Sequence, residues 1–196
     1  MTANNIPVAI INPDAPPESL EAKQPPVDNG ADCYGKDGYF SRDYMAREWE
    51  KMWTRTWLIA GVVADLPEVG DYFLFDIREE SIIVTRTEEG VRAFYNVCSH
   101  RGSRLVFEER GNKKVFVCPF HSWSFHNNGE LRRITDEETF QSEVIAHRPG
   151  LTPVACEEHA GIIFINMADN PPPLKEMIGL PEGYLEAYHI CLLYTS

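Results

Sequence analysis

Long apolar stretches are missing from this chain. No run of about 18 apolar residues occurs among its 196 residues, so no segment is expected to cross a membrane. Basic residues are scarce as well. Lys and Arg number 18 against 30 Asp and Glu, and the net charge of −12 disfavours a nucleic-acid partner. Cysteines number only five, and an odd count without a secretory leader argues against a disulfide scaffold. Residues Met1 to Pro7 lack the basic stretch and apolar core of such a leader, so the expected location is cytoplasmic. What is left can bury one good core with a second small module beside it.

Proline is unevenly spread. Pro7, Pro13, Pro16, Pro17, Pro25 and Pro26 are six of the fourteen, and residues 1–30 show little apolar periodicity, so they read as an extended or disordered arm. A helical segment is expected over 31–56, its helix starting after the N-cap Ser41. Tyr44, Met45, Trp49, Met52 and Trp53 recur at helical spacing and mark its expected buried face. The pattern then turns to strands at Asp71–Ile77, Ser81–Arg86 and Val91–Val97, with a further one leading from Asn112 to Val117. Trp123–His126 and Glu130–Leu131 flank an Asn128–Gly129 turn and read as a hairpin. Thr152–Cys156 and Gly161–Asn166 close the pattern. The expected fold is therefore mainly β over 57–167, antiparallel sheets around a core with two projecting loops. A helix is expected to begin near Leu174 or Pro181.

Those two loops carry the chemistry. Cys98-Ser99-His100 and Cys118-Pro119-Phe120-His121 each offer one thiolate and one imidazole. Both spacings are too tight for a helical i, i+4 pair, so they read as loop ligands. Two Cys for one iron and two His for the other suit a Rieske [2Fe–2S] cluster, whose imidazoles lower the negative charge of the site and ease its reduction. The competing reading is a structural Cys₂His₂ zinc site. Zinc fingers usually open with two Cys two to four residues apart and end with two His, whereas each half here holds one of each. Trp123 either covers the cluster or is plain core packing, and Pro119 stiffens its loop. His126, His147 and His159 lie outside the motif and read as surface or satisfied-core residues. Cys156 alternates with apolar neighbours and reads as a small core residue. Cys33 and Cys191 have no motif.

The runs Tyr95–Leu105 and Cys118–Phe125 resemble the N-terminal half of a Rieske non-haem iron oxygenase large (α) subunit. Trp57–Ala60 resembles the family's segment before the first strand, Gly70–Phe73 the strand itself, and Gly161–Asn166 the segment after the cluster; the likeness runs from about Tyr39 to Ile190. The resemblance implies the Rieske fold, with Cys98, His100, Cys118 and His121 as metal ligands and Trp123 and Arg101 packed around them. It implies a ferredoxin or an NAD(P)H-dependent reductase as electron donor, and a homo-oligomer of α subunits, with or without a β subunit. Oxygen chemistry in this family takes place at a mononuclear non-haem Fe(II) in a second domain, held by two His and a carboxylate. Respiratory Rieske proteins add a disulfide between the loops. The corresponding positions here are Ser103 and Phe120, which implies the ferredoxin and oxygenase branch, with a potential toward the low end of about −150 to +300 mV. The alternative within that branch is a stand-alone Rieske ferredoxin. Against it stand the long segment before Cys98 and the continuation past Asn166.

Two departures accompany the resemblance. The family usually has Gly after the second ligand His, and this chain has Ser122. If that position needs a positive φ, Ser strains the loop by about a kcal/mol or more. The end of the chain also departs. Residues 168–190 read as the start of a truncated catalytic domain, and 191–196 resemble a translated transposase-type sequencing adapter. Glu186–His189 superficially resembles part of the family's iron motif, but its other ligands are missing and His189 is rejected as a ligand. Finally, segment 98–121 holds Arg101, Arg104, Arg110, Lys113 and Lys114 against Glu108 and Glu109. Arg104, Lys113 and Lys114 either steer an acidic electron donor or are ordinary solvated loop charge.

Overall fold

The structure, a computed structural model, describes residues 35–181 and 183–188. The arm expected over 1–30 and the adapter-like tail over 191–196 lie outside the described residues, as do Cys33, His189 and Cys191. Two compact units divide between Phe40 and Ser41. The described part of the first holds the short helix α1 (Asp37–Phe40). Every element below belongs to the second.

Helix α2 (Arg42–Glu48) starts where the N-cap predicts, the Ser41 hydroxyl accepting the Tyr44 N–H at 3.2 Å. It then widens into a π-helical turn, Trp49–Trp53. The expected buried face does not survive this change. Met45, Met52 and Trp53 are exposed, while Tyr44 and Trp49 are half-buried. The wider turn breaks the 3.6-residue repeat, so side chains aligned in the sequence pattern no longer share one stripe.

Ten strands follow among the described residues: β1 (Leu58–Val62), β2 (Asp71–Ile77), β3 (Glu80–Thr87), β4 (Gly90–Tyr95), β5 (Arg110–Asn112), β6 (Val115–Val117), β7 (Ser124–His126), β8 (Leu131–Arg133), β9 (Pro153–His159) and β10 (Ile162–Asn166). Seven form one antiparallel sheet in the order β1-β10-β9-β4-β3-β2-β5, and β6-β7-β8 form a second. Two details differ from the sequence pattern. Residues 58–62 form a strand in their own right, because β10 supplies their hydrogen bonds from far along the chain. The expected strand 112–117 divides at Lys113 and Lys114, β5 joining the first sheet and β6 the second. Between β8 and β9 lies helix α3 (Ser142–Ala146), and α4 (Leu174–Ile178) follows β10 at the earlier of its two expected starts. No helix among the described residues is long and apolar enough to cross a membrane.

Strand β3 sits at the centre of this packing. Ile83 faces one hydrophobic cluster with Tyr72, Phe94, Phe116, Phe125 and Trp123, while Ile82 and Val84 face another with Phe73, Leu66, Ile163 and Ile165. A strand covered on both faces reads as an unbroken apolar run, which is how Ile82–Val84 reads. Phe116 and Phe125, fully buried, each contribute roughly 1.5–3 kcal/mol to holding the small sheet on the large one. Gly129, with φ of +88°, closes the β7–β8 hairpin directly against the Phe94 ring, where a side chain would find no room.

The two candidate ligand loops join β4 to β5 and β6 to β7, and their backbones close in the same way. The Cys98 N–H donates to the Ser103 carbonyl at 2.8 Å, and the Gly102 N–H returns to the Cys98 carbonyl at 2.9 Å. In the second loop the Cys118 N–H donates to the Trp123 carbonyl at 2.7 Å, and the Ser122 N–H returns to the Cys118 carbonyl at 2.9 Å. The residue four beyond each Cys is left-handed in both, Gly102 at φ of 73° and Ser122 at 57°. The condition attached to Ser122 is therefore met, and the second loop carries the strain that the first avoids. Ser122→Gly is expected to stabilise the protein by about 0.5–1 kcal/mol, and Gly102→Ala to destabilise it by about as much, in denaturant titrations. Nothing crowds a methyl group at Gly102, so its change reports backbone conformation alone.

One buried side chain fixes the first loop from inside. Asn96 accepts the N–H groups of Leu105 and Val106 at 3.1 and 2.9 Å, and donates to the Val106 carbonyl at 2.7 Å and the Ser81 hydroxyl at 3.2 Å. Asn96→Ala leaves two buried amides unpaired and is expected to cost about 3 kcal/mol, measured by the same titration.

Candidate metal centre

The loops deliver their thiols into the core and their imidazoles toward its edge. Cys98 and Cys118 are each 2% exposed and belong to the cluster packed between the two sheets. His100 and His121 are half-buried, with ring centroids 4.8 Å apart. The four side chains that the sequence singled out thus meet in one place, thiols inside and imidazoles outside. Among the described residues no three His, Cys, Asp or Glu side chains converge on a point that could hold a single metal ion.

The backbone turns its donors onto the sulfurs. Burial pushes the Cys98 thiol up, opposed by hydrogen bonds from the backbone N–H groups of His100 and Arg101. Burial acts on Cys118 too, but donors from the backbone of His121 and Phe120, the Cys98 thiol and the Ser103 hydroxyl outweigh it and bring that thiol down. Each Cys therefore receives the amides two and three residues further on. The same loop closure that sets the left-handed residue also aims these N–H groups inward. His100 is held below the ordinary histidine range by burial first, then by the charges of His121, Arg101 and Arg148. It is accordingly ready as a neutral imidazole.

The site has an unmet demand. The His121 Nδ1 atom is buried and has no hydrogen-bond partner. A buried ring nitrogen without a partner is costly unless it binds something the protein does not supply, and a metal ion meets that need. Two buried thiols ringed by amide donors, with an orphaned imidazole nitrogen beside them, fit a [2Fe–2S] cluster.

Other candidates fall into place around it. Trp123, 1% exposed, packs in the core and also lies parallel to the His100 ring, 4.5 Å between centroids and 6° between planes. Phe120 leans on His121 with centroids 3.9 Å apart. Arg101 is exposed, and its backbone N–H is what reaches Cys98. The basic segment is largely paired: Arg104 with Asp76 at 3.2 Å, Arg110 with Asp65 at 3.2 Å and Lys113 with Glu108 at 2.8 Å. Lys114 is exposed. His126 and His147 are exposed and His159 is half-buried, 3.7 Å from the Glu186 carboxylate. The Cys156 thiol is pushed up to about 12 by burial, which makes it chemically inert.

Sequence reasoning missed three contributors. Asn96 gave one signal, a polar residue two before the first Cys in a strand that otherwise reads as core. Phe140 and Arg148 gave none. Phe140 stands edge-on to both Trp123 and His100, and the Arg148 guanidinium lies 5.4 Å above the Trp123 ring.

Comparisons with known proteins agree with this geometry. The Rieske [2Fe-2S] domain model matches residues 56–147. The chain is 35% identical over 140 residues to the glycine betaine monooxygenase oxygenase subunit of Pseudomonas aeruginosa, covering 71% of this chain and 32% of that one. To the large oxygenase component of the naphthalene 1,2-dioxygenase system of Pseudomonas aeruginosa it is 38% identical over 147 residues, 74% of this chain and 33% of the relative. The crystal structure of the apo form of a quaternary ammonium Rieske monooxygenase superposes with a TM-score of 0.71 at 29% identity, covering 79% of this chain and 44% of that one. The chain spans about a third of the length of the two curated relatives. Residues 56–147 are thus a Rieske [2Fe–2S] domain, and the chain belongs to the Rieske non-haem iron oxygenase large-subunit family.

Proposed function

We propose that this chain is the electron-transfer part of a terminal oxygenase, with Cys98 and Cys118 holding one iron and His100 and His121 the other. The observation that carries the assignment is the pairing of two matched loops, each directing a buried thiol and an imidazole to the same place, with the His121 Nδ1 atom left unpartnered. When bound, the [2Fe–2S] cluster supplies reversible one-electron transfer. The protein does the rest. The amides of His100, Arg101, Phe120 and His121 point at the thiolates and offset their charge in a dry core. Trp123 and Phe140 keep water from the inner side. The half-exposed His100 and His121 form the port by which electrons arrive and leave.

The electron donor is proposed to be a ferredoxin or an NAD(P)H-dependent reductase that docks at this port. Val97, Val117 and Phe120 are exposed beside the ligands, at 43%, 51% and 62%, and give it an apolar contact rim. Because Arg104 and Lys113 are already ion-paired, Arg101 and Lys114 are the cations most available to steer an acidic partner. In the intact parent, a homo-oligomer of α subunits with or without a β subunit, electrons pass to a mononuclear non-haem Fe(II) in a catalytic domain. That iron activates O₂ to hydroxylate an aromatic or similarly unreactive substrate. We place the protein in the cytoplasm, where thiolates stay reduced.

Reconstitution of the chain with iron and sulfide is expected to give the visible and EPR spectra of a Rieske centre, and Cys98→Ser or Cys118→Ser to abolish them. A Cys98→Ser protein that kept those spectra would refute the ligand assignment. The reduced chain should donate electrons yet form no hydroxylated product, which product analysis by mass spectrometry checks.

A further inference from the structure

A cation lies beside the proposed electron port. The His100 and Trp123 rings lie parallel with centroids 4.5 Å apart, and the Arg148 guanidinium lies over the Trp123 ring, 5.4 Å from its centroid. Phe140 stands edge-on to both rings, at 6.4 Å from His100 and 6.0 Å from Trp123, and fixes them sideways. The backbone beside Arg148 is anchored as well. The Arg148 N–H donates to the Ile145 carbonyl at 3.0 Å, and the Ser99 hydroxyl of the first loop donates to the Pro149 carbonyl at 3.1 Å. The grouping of imidazole, indole and guanidinium is therefore drawn from three separate parts of the chain and tied to one of the ligand loops.

This arrangement does more than fill space. A guanidinium over an indole is a favourable cation–π contact, and a half-buried one is poorly screened. No ion pair neutralises Arg148 among the described residues, whereas Arg104, Arg110 and Lys113 each have a carboxylate. We propose that Arg148 is a positioning residue that sets the reduction potential of the centre, its fixed charge favouring the electron that arrives at the His100 side. The inference rests on His100 being an iron ligand. Reduction adds one electron and breaks no bond in the protein, so a nearby positive charge stabilises the reduced form over the oxidised one. At an effective dielectric of about 20, a unit charge on the order of 10 Å away shifts such an equilibrium by roughly tenfold.

The test is a dithionite redox titration of the reconstituted 196-residue chain, followed by its visible and EPR spectra. R148Q is expected to retain the Rieske spectra and to lower the reduction equilibrium constant about tenfold, roughly 59 mV for a one-electron couple. R148K, which keeps the charge but not the plane, is expected to hold most of the wild-type potential. Should Gln at this position prevent folding, R148M keeps the alkyl stem on the indole and reads the same lost charge. An unchanged potential in the charge-free variants, or an equal fall in R148K, overturns the proposal. A wild-type chain without Rieske spectra overturns the ligand assignment instead, so the two failures are told apart.

Discussion

Closure of each loop on its own cysteine is the constraint from which the rest of the site follows. The Cys N–H reaches five residues forward and the Cys carbonyl receives the amide four residues forward, at Cys98 and again at Cys118. A turn this tight must pass through the left-handed region four residues after the cysteine, where Gly102 is at ease and Ser122 is not. In return, the two amides inside each turn face the sulfur. The same geometry thus provides the shape of the loop, its strain and its electrostatic environment, and it does so twice.

That environment answers a problem of burial. Two thiols lie in a core of Phe116, Phe125, Leu105 and Trp123, where an uncompensated negative charge would be expensive. The amides of His100, Arg101, Phe120 and His121 offset this. The histidines need no such support because they sit at the edge. Core packing and cluster binding are therefore one arrangement: the large sheet contributes the first loop, the small sheet the second, and the aromatic residues between them bring the loops together. Asn96 adds a polar tie within that apolar layer, holding residues 105 and 106 to the end of β4 and keeping the first loop from opening.

Outside the core, charge is distributed economically. The cations of segment 98–121 are mostly paired with nearby carboxylates, so a chain of net charge −12 shows less local positive surface than a count of residues suggests. The residues bordering the histidines are apolar and exposed instead. An electron partner meeting this edge would find a small apolar rim with a few free cations beside it, a surface suited to brief contact rather than permanent assembly.

Much of this was legible in the residues. Spacing in Cys98-Ser99-His100 and Cys118-Pro119-Phe120-His121 pointed to candidate ligands on loops, because neither is the i, i+4 spacing of a helical pair. Alternation and apolar runs located β2, β3, β4 and β10, since strand periodicity is a local property. Ser41 announced a helix start for the same reason. What the pattern could not show is whatever depends on partners far along the chain. Strand β1 exists because β10 lies beside it. Residues 112–117 divide because two different sheets claim them. The apolar face expected over residues 44–53 was misjudged because a π-helical turn takes Met52 and Trp53 out of the repeat, while Met45 before it is exposed. The contacts of Trp123 with both Arg148 and His100 join segments with no common motif. By itself, then, the sequence singled out the four candidate ligands and showed that they would lie on loops. Only the tertiary structure decided how deep each donor lies, which charges are cancelled and what stands behind the histidines, because burial and electrostatic distance arise between segments that chain order does not relate.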